Sequence, residues 1–352
     1  MSRVIALTSS SCNINCDYCY VAASRQSIDR VPIEALPTLI RNCSVGFDQV
    51  EFCWHGGEPL LAGKEFYRTA VSIQKKESEK RPITFQNGLQ TNGILLDNEW
   101  LTFFKANDFG IGISFDAPPE THNLHRDHTA EKALNVFSMM RRLAFPCGAI
   151  CVVSKHNVGK AREIFDFFRD QDISSYSFLP VKNVPRPNLP GPPTEEELAA
   201  LYCETFDLWL SQPNQFKKID PLYSMMLGLL GKMPPSCSFS APCPDTMISV
   251  DQKGNVVPCR SLVAPPFFLG NVFNETLSEV LERSAQGLRE VRARAIRQHC
   301  VACEFVGLCR GGCRADAYWA TGHPDGAYPH CEARKITFRY LKKKLQEMHI
   351  CN

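Results

Sequence analysis

Three cysteines lie close together near the start of the chain, in the stretch SSSCNINCDYCYV (residues 9–21). Their spacing, Cys12-x3-Cys16-x2-Cys19, lets three thiolates reach one metal centre. A structural zinc site would need a fourth cysteine or histidine close by, and the nearest histidine is the distant His55. Three thiolates that leave one position open suit a [4Fe–4S] cluster whose fourth iron binds an outside ligand.

Eight further cysteines form a dense pattern from residue 237 onward, with the spacing C-x5-C, G-x4-C, C-x2-C-x5-C-x3-C and a final cysteine. They are Cys237, Cys243, Cys259, Cys300, Cys303, Cys309, Cys313 and Cys331. Eight thiolates make two four-cysteine sites, and tetrahedral sulfur sites accept either zinc or iron–sulfur clusters. Disulfides are not expected, because the chain shows no secretion signal. The other six of the seventeen cysteines are scattered and are predicted to be small buried apolar residues.

Strands and helices alternate over the first half of the chain and position these motifs. Strands are predicted over residues 4–9, 50–56, 83–93, 110–116, 148–154 and 174–181, and helices over 33–41, 64–79, 97–107, 130–143 and 159–171. Such alternation implies parallel strands with right-handed crossovers, and ligands then bind at the carboxyl ends of the strands. The first cysteine motif, WHGGEPLL (54–61), LQTNG (89–93) and ISFDAPPETHNLHR (113–126) all fall at strand ends.

The chain divides into four predicted parts. Residues 1–181 form the α/β part, and residues 182–235 form a bridging segment that opens with a proline-rich stretch and continues with helices over 194–211 and 221–230. Residues 236–335 form a small cysteine-rich domain held by metal, in short segments, and residues 336–352 belong to a last helix that begins near residue 333.

The motifs of residues 1–181, taken in order, resemble those of the radical SAM superfamily, with Tyr18 as the aromatic residue before the last cysteine. The resemblance implies a partial (β/α)6 TIM-like barrel in which S-adenosylmethionine (SAM) chelates the open iron. The reduced cluster then splits SAM to give a 5′-deoxyadenosyl radical. Glycines in WHGGEPLL let the backbone approach the ligand closely. The SAM-binding residues implied are Tyr18, Gly56, Gly57, Glu58, Pro59, Gln90 and Ser114.

The second cysteine pattern resembles the SPASM extension of peptide-modifying radical SAM enzymes, which carries two auxiliary [4Fe–4S] clusters. The resemblance implies that Cys237, Cys243, Cys259 and Cys313 hold the inner cluster, and that Cys300, Cys303, Cys309 and Cys331 hold the outer one. Three [4Fe–4S] clusters and SAM are therefore the expected cofactors. Since protein ligands fill both auxiliary sites, electron transfer is their expected role.

Three outcomes of radical formation on a peptide compete: oxidation to formylglycine, closure to a thioether, and closure on an aromatic ring as a carbon–carbon cyclophane. Several segments resemble the anaerobic sulfatase-maturating enzymes, which carry an acidic base immediately after the cysteine matching Cys259. Here that residue is Arg260, which stays protonated and cannot be a general base. The Trp-His-Gly-Gly-Glu-Pro stretch resembles maturases that cross-link ribosomal peptides. A cyclophane cross-link is therefore favoured, sulfatase maturation stands second, and a non-catalytic metal-binding scaffold is the alternative of another class.

The catalytic residues remain open, and the candidates are Asp116, Asp245, Arg260 and His55. Arg260 could bind a peptide carboxylate or form an ordinary ion pair, and His55 could donate a proton or support the SAM loop.

The expected partners are a precursor peptide and an electron donor such as flavodoxin or ferredoxin. Only eleven residues precede Cys12, so leader recognition is expected on the barrel face, on residues 182–235 or on a separate protein. A formal net charge of +2 and the absence of an apolar run of about 20 residues favour neither nucleic acid nor membrane as a partner. A cytoplasmic location is expected.

Overall fold

The computed structural model describes residues 2–20, 29–182, 191–240, 245 and 247–349. All six predicted strands are present in the first half of the chain. They are β1 (Ser2–Ser9), β2 (Gln49–Gly56), β3 (Thr84–Thr91), β4 (Phe109–Ser114), β5 (Cys147–Val153) and β6 (Ser175–Pro180). The helices between them are α1 (Leu36–Ser44), α2 (Lys64–Lys80), α3 (Asn98–Ala106), α4 (Pro119–His125), α5 (Ala130–Arg142) and α6 (Ala161–Asp170). Only the short α4 was not predicted.

Strands β1 to β6 pair side by side in chain order, and every pair is parallel. The carboxyl ends of all six strands therefore meet at one edge, where the sequence motifs come together. The expected mixed α/β architecture with a parallel sheet is confirmed.

Strand β2 shows how the two faces of this sheet differ. Val50, Phe52 and Trp54 are buried, and the indole of Trp54 packs edge-on against Phe66 of α2. The alternate side chains of β2 point to the opposite, inner face, because successive side chains of a strand alternate. His55, near the carboxyl end of β2, is one of these inner residues.

The sheet continues beyond the six predicted strands at both edges. Short β7 (Lys218–Asp220) pairs with β6, and β8 (Ile248–Val250) pairs in parallel with β1. Strands β9 (Asn255–Val257) and β10 (Gly270–Asn271) then add antiparallel neighbours, so that ten strands form one sheet. Strands of two or three residues carry too little periodicity to be predicted. Through β8 the cysteine-rich region is continuous with the barrel edge.

The C-terminal half is more helical than the sequence predicts. Helices α7 (Glu195–Ser211) and α8 (Leu222–Leu229) match their predictions, but α9 (Leu277–His299) occupies a region where only short segments are expected. The sequence signal for α9 is a capping box. The side chain of Thr276 accepts a hydrogen bond from the backbone N–H of Glu279, and the side chain of Glu279 accepts one from the backbone N–H of Thr276. Helices α10 (Val306–Cys309), α11 (Arg314–Thr321) and α12 (Cys331–Glu347) follow. The boundary predicted at residue 336 falls inside α12, which packs against α7.

The scattered cysteines and the surface complete the fold. Cys43, Cys147 and Cys151 are buried, as predicted, while Cys53 and Cys203 are half-buried. Cys351 lies outside the described residues. None of the helices in the described ranges is both long enough and apolar enough to cross a bilayer.

Candidate active site and cysteine groups

The loop that carries Cys12, Cys16 and Cys19 follows β1 at the carboxyl edge of the sheet. The buried thiol of Cys16 interacts electrostatically with the thiols of Cys12 and Cys19. Two N–H donors face these sulfurs: Nδ2 of Asn92 lies 3.7 Å from Sγ of Cys12, and Nη1 of Arg126 lies 4.0 Å from Sγ of Cys16. Such donors suit cysteines that act as negatively charged ligands.

Gly56 and Gly57 bring the end of β2 into direct contact with the cysteine loop. The N–H of Gly57 donates to the carbonyl of Ser9 at 2.7 Å, and the N–H of Glu58 donates to the carbonyl of Ser11 at 2.8 Å. A Cβ added to Gly57 would lie 2.3 Å from the Ser11 oxygen, and one on Gly56 would lie 2.3 Å from the Ser9 oxygen. The glycines thus have a role that the sequence does not predict: they admit the backbone of the cysteine loop.

Glu58 ties this segment to the end of β3. Its buried carboxyl group accepts hydrogen bonds from the Thr91 hydroxyl at 2.7 Å, the Asn92 N–H at 2.9 Å and the Leu60 N–H at 3.0 Å. Burial raises the pKa of Glu58 to about 7, and the three donors oppose this rise. The side chain of Glu58 therefore organises the loop in which it lies.

The remaining predicted SAM-binding residues line the same strand ends. Nε2 of Gln90 donates to Oγ of Ser114 at 3.0 Å, so these two side chains meet across β3 and β4. The carbonyl of Pro59 accepts a hydrogen bond from the Tyr67 hydroxyl at 2.9 Å. These contacts hold polar groups at the strand ends next to the cysteine loop.

Asp116 lies at the centre of a buried network. Its carboxylate accepts hydrogen bonds from Arg126 at 2.8 and 3.2 Å, from the Val152 N–H at 2.9 Å and from the Tyr18 hydroxyl. Burial alone would raise the pKa of Asp116, but Arg126 and the other donors hold it below its usual range. The guanidinium of Arg126 also lies 5.4 Å from the ring centroid of Tyr18. Asp116 thus anchors the cysteine loop, and we do not retain it as a candidate base.

His125 makes a second connection to the cysteine loop. Its Nδ1 lies 2.8 Å from Oδ2 of Asp17, and its Nε2 lies 3.0 Å from Oγ of Ser154. Neither His125 nor Arg126 is predicted as a site residue from the sequence, although both end the ISFDAPPETHNLHR motif. Only the return of the chain after α4 toward the cysteine loop brings them there.

Asp245 lies at the surface, apart from this network. Its carboxylate pairs with Arg289 of α9, whose Nε lies 3.1 Å away, and the Arg289 side chain is 53% exposed. A carboxylate engaged at an exposed helix surface is not positioned as a base, and Asp245 is not retained either.

His55 and Arg260 approach each other inside the barrel. The N–H of Gly56 donates to Nδ1 of His55 at 2.9 Å, which places the proton of the neutral ring on Nε2. Burial lowers the pKa of His55 well below its usual range, and the charge of Arg260 lowers it further. His55 is therefore neutral, supports the loop through Nδ1 and keeps Nε2–H as a donor.

Three members of the first four-cysteine set lie in the described residues, and one of them, Cys259, directly precedes Arg260. The thiols of Cys237 and Cys259 act electrostatically on the thiol of Cys313, and desolvation raises the pKa of Cys313 well above its usual range. Cys243 lies outside the described residues. Beside Cys313, the ammonium of Lys182 forms an ion pair with Asp316.

The second four-cysteine set lines a cavity of about 380 Å³ among α9, α10 and α12. Its members are Cys300, Cys303, Cys309 and Cys331, whose thiols interact electrostatically. Arg334 is buried at this cavity, with its Nη1 3.3 Å from Sγ of Cys309. Its guanidinium lies 4.0 Å from the Phe239 ring centroid and 4.3 Å from that of Tyr328.

The cysteine groups fit iron–sulfur clusters better than single zinc ions. Thiolates on one zinc lie about 4 Å apart, because each Zn–S bond is about 2.3 Å long. Across the ranges that the structure describes, no three His, Cys, Asp or Glu side chains close around one metal ion. N–H donors face the sulfurs of Cys12, Cys16 and Cys309, as expected for thiolates that bind an iron–sulfur cluster.

Replacing Arg334 by glutamine should lower the reduction potential of a cluster bound by the second set. The guanidinium donates to Cys309 and favours the more negative, reduced cluster. If the guanidinium stabilises the reduced cluster over the oxidised one by about 1.4 kcal/mol, its loss lowers the potential of a one-electron couple by about 60 mV. A redox titration followed by electron paramagnetic resonance measures the shift. The exposed Arg339 on the same helix, which pairs with Glu304 at 2.8 Å, supplies the control variant Arg339→Gln. An equal shift in both variants would contradict the role of Arg334.

Two family models match the chain in the order of its structural parts. Residues 7–168 match the radical SAM superfamily, and residues 237–304 match the SPASM iron–sulfur cluster-binding domain. These two domains imply iron–sulfur clusters and SAM as cofactors.

Curated relatives and solved structures extend the likeness over nearly the whole chain. The chain is 28% identical over 341 residues to the cysteine-type anaerobic sulfatase-maturating enzyme of Clostridium perfringens strain 13, covering 89% of each protein. It is 26% identical to the serine-type enzyme of Bacteroides thetaiotaomicron, covering 95% of this chain and 89% of that one. The structure of anSMEcpe with bound AdoMet and the Cp18Cys peptide matches with a TM-score of 0.87 and 25% identity, over 99% of this chain and 98% of that one. Streptococcus suis SuiB bound to its precursor peptide SuiA matches in fold, with a TM-score of 0.69 and 14% identity over 93% of this chain and 74% of that one.

Proposed function

Because the chain is a radical SAM enzyme with a C-terminal SPASM domain, we propose that it installs a cross-link in a ribosomally made precursor peptide. A carbon–carbon cyclophane is favoured over a thioether. A peptide substrate is supported by the structures of fold relatives, since anSMEcpe was solved with the Cp18Cys peptide and SuiB with the precursor SuiA. The peptide loses two hydrogens overall, one as a hydrogen atom and one as a proton with an electron.

We further propose three [4Fe–4S] clusters. Cys12, Cys16 and Cys19 would hold the one that binds SAM. Cys237, Cys243, Cys259 and Cys313 would hold the inner auxiliary cluster, and Cys300, Cys303, Cys309 and Cys331 the outer one. When bound, the first cluster and SAM supply the 5′-deoxyadenosyl radical, and the auxiliary clusters supply a path for the electron that leaves the peptide. N–H groups of the chain would stabilise the thiolate ligands of these clusters. Arg126 and Asn92 direct N–H groups at the first set of sulfurs, and Arg334 directs one at Cys309.

The observation that carries the cross-linking proposal is Arg260 beside His55 on the inner face of the barrel. Formylglycine formation needs a base to take a proton from the oxidised side chain, and a guanidinium cannot serve. Three described acids in this part of the molecule are already paired: Glu51 pairs with Arg3 at 2.6 Å, Asp116 is enclosed in its network, and Asp316 pairs with Lys182. When a peptide radical adds to an aromatic ring and loses an electron, the oxidised ring is a strong acid. It loses its proton readily, so this closure needs a weaker base than formylglycine formation does.

Sulfatase maturation is the second candidate. It is supported by the likeness to both types of anaerobic sulfatase-maturating enzyme over 89% and 95% of this chain. A non-catalytic metal-binding scaffold is the candidate of another class. We also propose that a small electron-transfer protein such as flavodoxin or ferredoxin supplies electrons, and that leader recognition uses the barrel face, residues 182–235 or a separate protein.

Anaerobic co-expression with a candidate precursor peptide, chosen from neighbouring short genes that encode a repeated aromatic motif, tests the proposed function. The purified, reconstituted chain should contain about twelve irons and release 5′-deoxyadenosine from SAM. The peptide should lose two hydrogens and resist backbone fragmentation inside the new ring during tandem mass spectrometry.

An aldehyde trap separates the two enzymatic candidates, because conversion of serine to formylglycine also removes two hydrogens. A cross-linked peptide does not react with a hydrazide, whereas a formylglycine peptide gains its mass. A hydrazide adduct would support sulfatase maturation instead, and a zinc protein that leaves SAM intact would support the scaffold. The variant with Cys12, Cys16 and Cys19 replaced by alanine is the control and should leave the peptide unmodified.

A further inference from the structure

Within the described ranges, Arg260 has no ion-pair partner. Three other cations in the barrel and the cysteine-rich region have described acceptors: Arg126 pairs with Asp116, Lys182 pairs with Asp316, and Arg334 donates to Cys309 and Ser238. The Nε of Arg260 is buried without an acceptor among the residues that the structure describes. No described carboxylate forms an ion pair with its guanidinium either. An arginine placed in this way is disfavoured unless a ligand supplies the acceptor, because an unpaired buried donor costs free energy.

The guanidinium is held in a definite orientation. Its Cζ lies 5.4 Å from the ring centroid of Tyr20, and Nζ of Lys182 lies 5.9 Å from the same centroid. The hydroxyl of Tyr20 accepts a hydrogen bond from Ser261 at 3.1 Å, which fixes the ring. Because the ring covers one face of Arg260, the edge of the guanidinium remains for an acceptor, and a carboxylate matches that edge with two parallel hydrogen bonds.

The place of this contact in the site is informative. Tyr20 directly follows Cys19, and Arg260 directly follows Cys259. An anion bound to Arg260 therefore lies between the loop of the first cysteine group and that of the second. A substrate peptide is expected to lie in this region, because it loses a hydrogen atom near the first cysteine group and an electron to a cluster of the second.

Space for a peptide continues beside the pair. Lys182 and Trp319, which flank Tyr20, also line a cavity of about 130 Å³ bordered by Pro192 and Pro193. The ion pair of Lys182 with Asp316 neutralises that wall. Of the two cations at the Tyr20 ring, only Arg260 lacks a described ion-pair partner, and we therefore expect Arg260 to be the anchoring group.

We propose that Arg260 binds a carboxylate of the peptide substrate and so sets which residue lies beside His55. The carboxylate comes from an Asp or Glu side chain or from the peptide C-terminus. The inference rests on the proposed peptide substrate and holds whether the product is a cross-link or formylglycine.

Peptide affinity of the reconstituted, SAM-bound enzyme tests the proposal. The probe is a fluorescently labelled synthetic peptide with the sequence of the co-expressed substrate, in three forms: with all carboxylates, with a C-terminal amide, and with Asp and Glu replaced by Asn and Gln. Anaerobic fluorescence anisotropy gives its Kd without turnover. Arg260→Gln should raise the Kd of the unaltered peptide about 10- to 100-fold, and Arg260→Lys should raise it less. The control is Arg289→Gln, at the exposed pair with Asp245, which should leave the Kd unchanged.

The peptide forms identify the source of the carboxylate. One of the two neutralised peptides lacks the carboxylate that Arg260 binds. The Kd of this peptide for the wild-type enzyme should equal the Kd of the unaltered peptide for Arg260→Gln. Its Kd for Arg260→Gln should be no higher than its Kd for the wild type. If both neutralised forms bind the wild type as tightly as the unaltered peptide, the proposal is overturned. It is also overturned if Arg260→Gln leaves peptide Kd unchanged but weakens SAM binding, because Arg260 would then bind the SAM carboxylate.

These readouts separate the two proposals. A hydrazide-reactive product with a raised Kd in Arg260→Gln would reject cross-linking and retain the carboxylate anchor. A cross-linked product with an unchanged Kd would retain cross-linking and reject the anchor.

Discussion

Replacing Gly57 by alanine should slow the release of 5′-deoxyadenosine from SAM at least about 100-fold. The added Cβ would lie 2.3 Å from the carbonyl oxygen and 2.7 Å from the carbonyl carbon of Ser11, both backbone atoms. Because no flexible side chain can move aside, the cysteine loop or the end of β2 must shift. Misplacement of reacting groups by about 1 Å costs about 100-fold in rate, so we expect a loss of at least that size. High-performance liquid chromatography of 5′-deoxyadenosine measures it.

Gly287→Ala is the matched control, since Gly287 lies within α9 and an added Cβ there meets nothing within 4 Å. It should preserve the rate and, as a substitution of glycine within a helix, stabilise the protein slightly. Iron content should fall in Gly57→Ala if the cysteine loop itself moves. A Gly57→Ala enzyme that cleaves SAM at the wild-type rate would show that the close contact of the two loops is not required.

Replacing Asp116 by asparagine should destabilise the protein by about 3–5 kcal/mol, the usual cost of removing one partner of a buried ion pair. Arg126 would keep its buried charge without its carboxylate partner, and Tyr18 and Val152 would lose a charged acceptor. The folded protein holds the pKa of Asp116 below its usual range. The stability that this carboxylate contributes is therefore present above about pH 4 and is lost as the pH falls through the lowered pKa.

Urea unfolding of wild type and Asp116→Asn across this pH range measures both effects. The difference between the two proteins should be largest near neutral pH and should narrow below about pH 4. Glu51→Gln is the control, because the Arg3–Glu51 pair is part-exposed, with side chains 31% and 27% exposed. We expect it to cost at most about 1 kcal/mol. A pH-independent difference would mean that shape, and not charge, makes Asp116 necessary.

The parallel strands, the crossover helices and the cysteine motifs could be predicted because their signals are local. Most of the strands β1 to β6 are rich in apolar and β-branched residues, and the helices between them, except the short α4, repeat their apolar residues at helical spacing. The spacing of Cys12, Cys16 and Cys19 alone predicts a three-thiolate centre. The short strands β7 to β10 lacked such a signal, because two or three residues show no period, and α9 was missed although its capping box is visible in the sequence.

By itself, therefore, the sequence determined the chemistry available at the strand ends: three thiolates, a glycine-rich segment and an arginine where a base is expected. Only the tertiary structure decided what these residues contact. It placed Gly57 against Ser11, closed Asp116 into a network with Arg126, and left Arg260 over Tyr20 without a described counter-ion. These pairs lie 46, 10 and 240 positions apart in the chain. No local pattern specifies them, because whether a buried charge is paired depends on which distant segments the packed fold brings together.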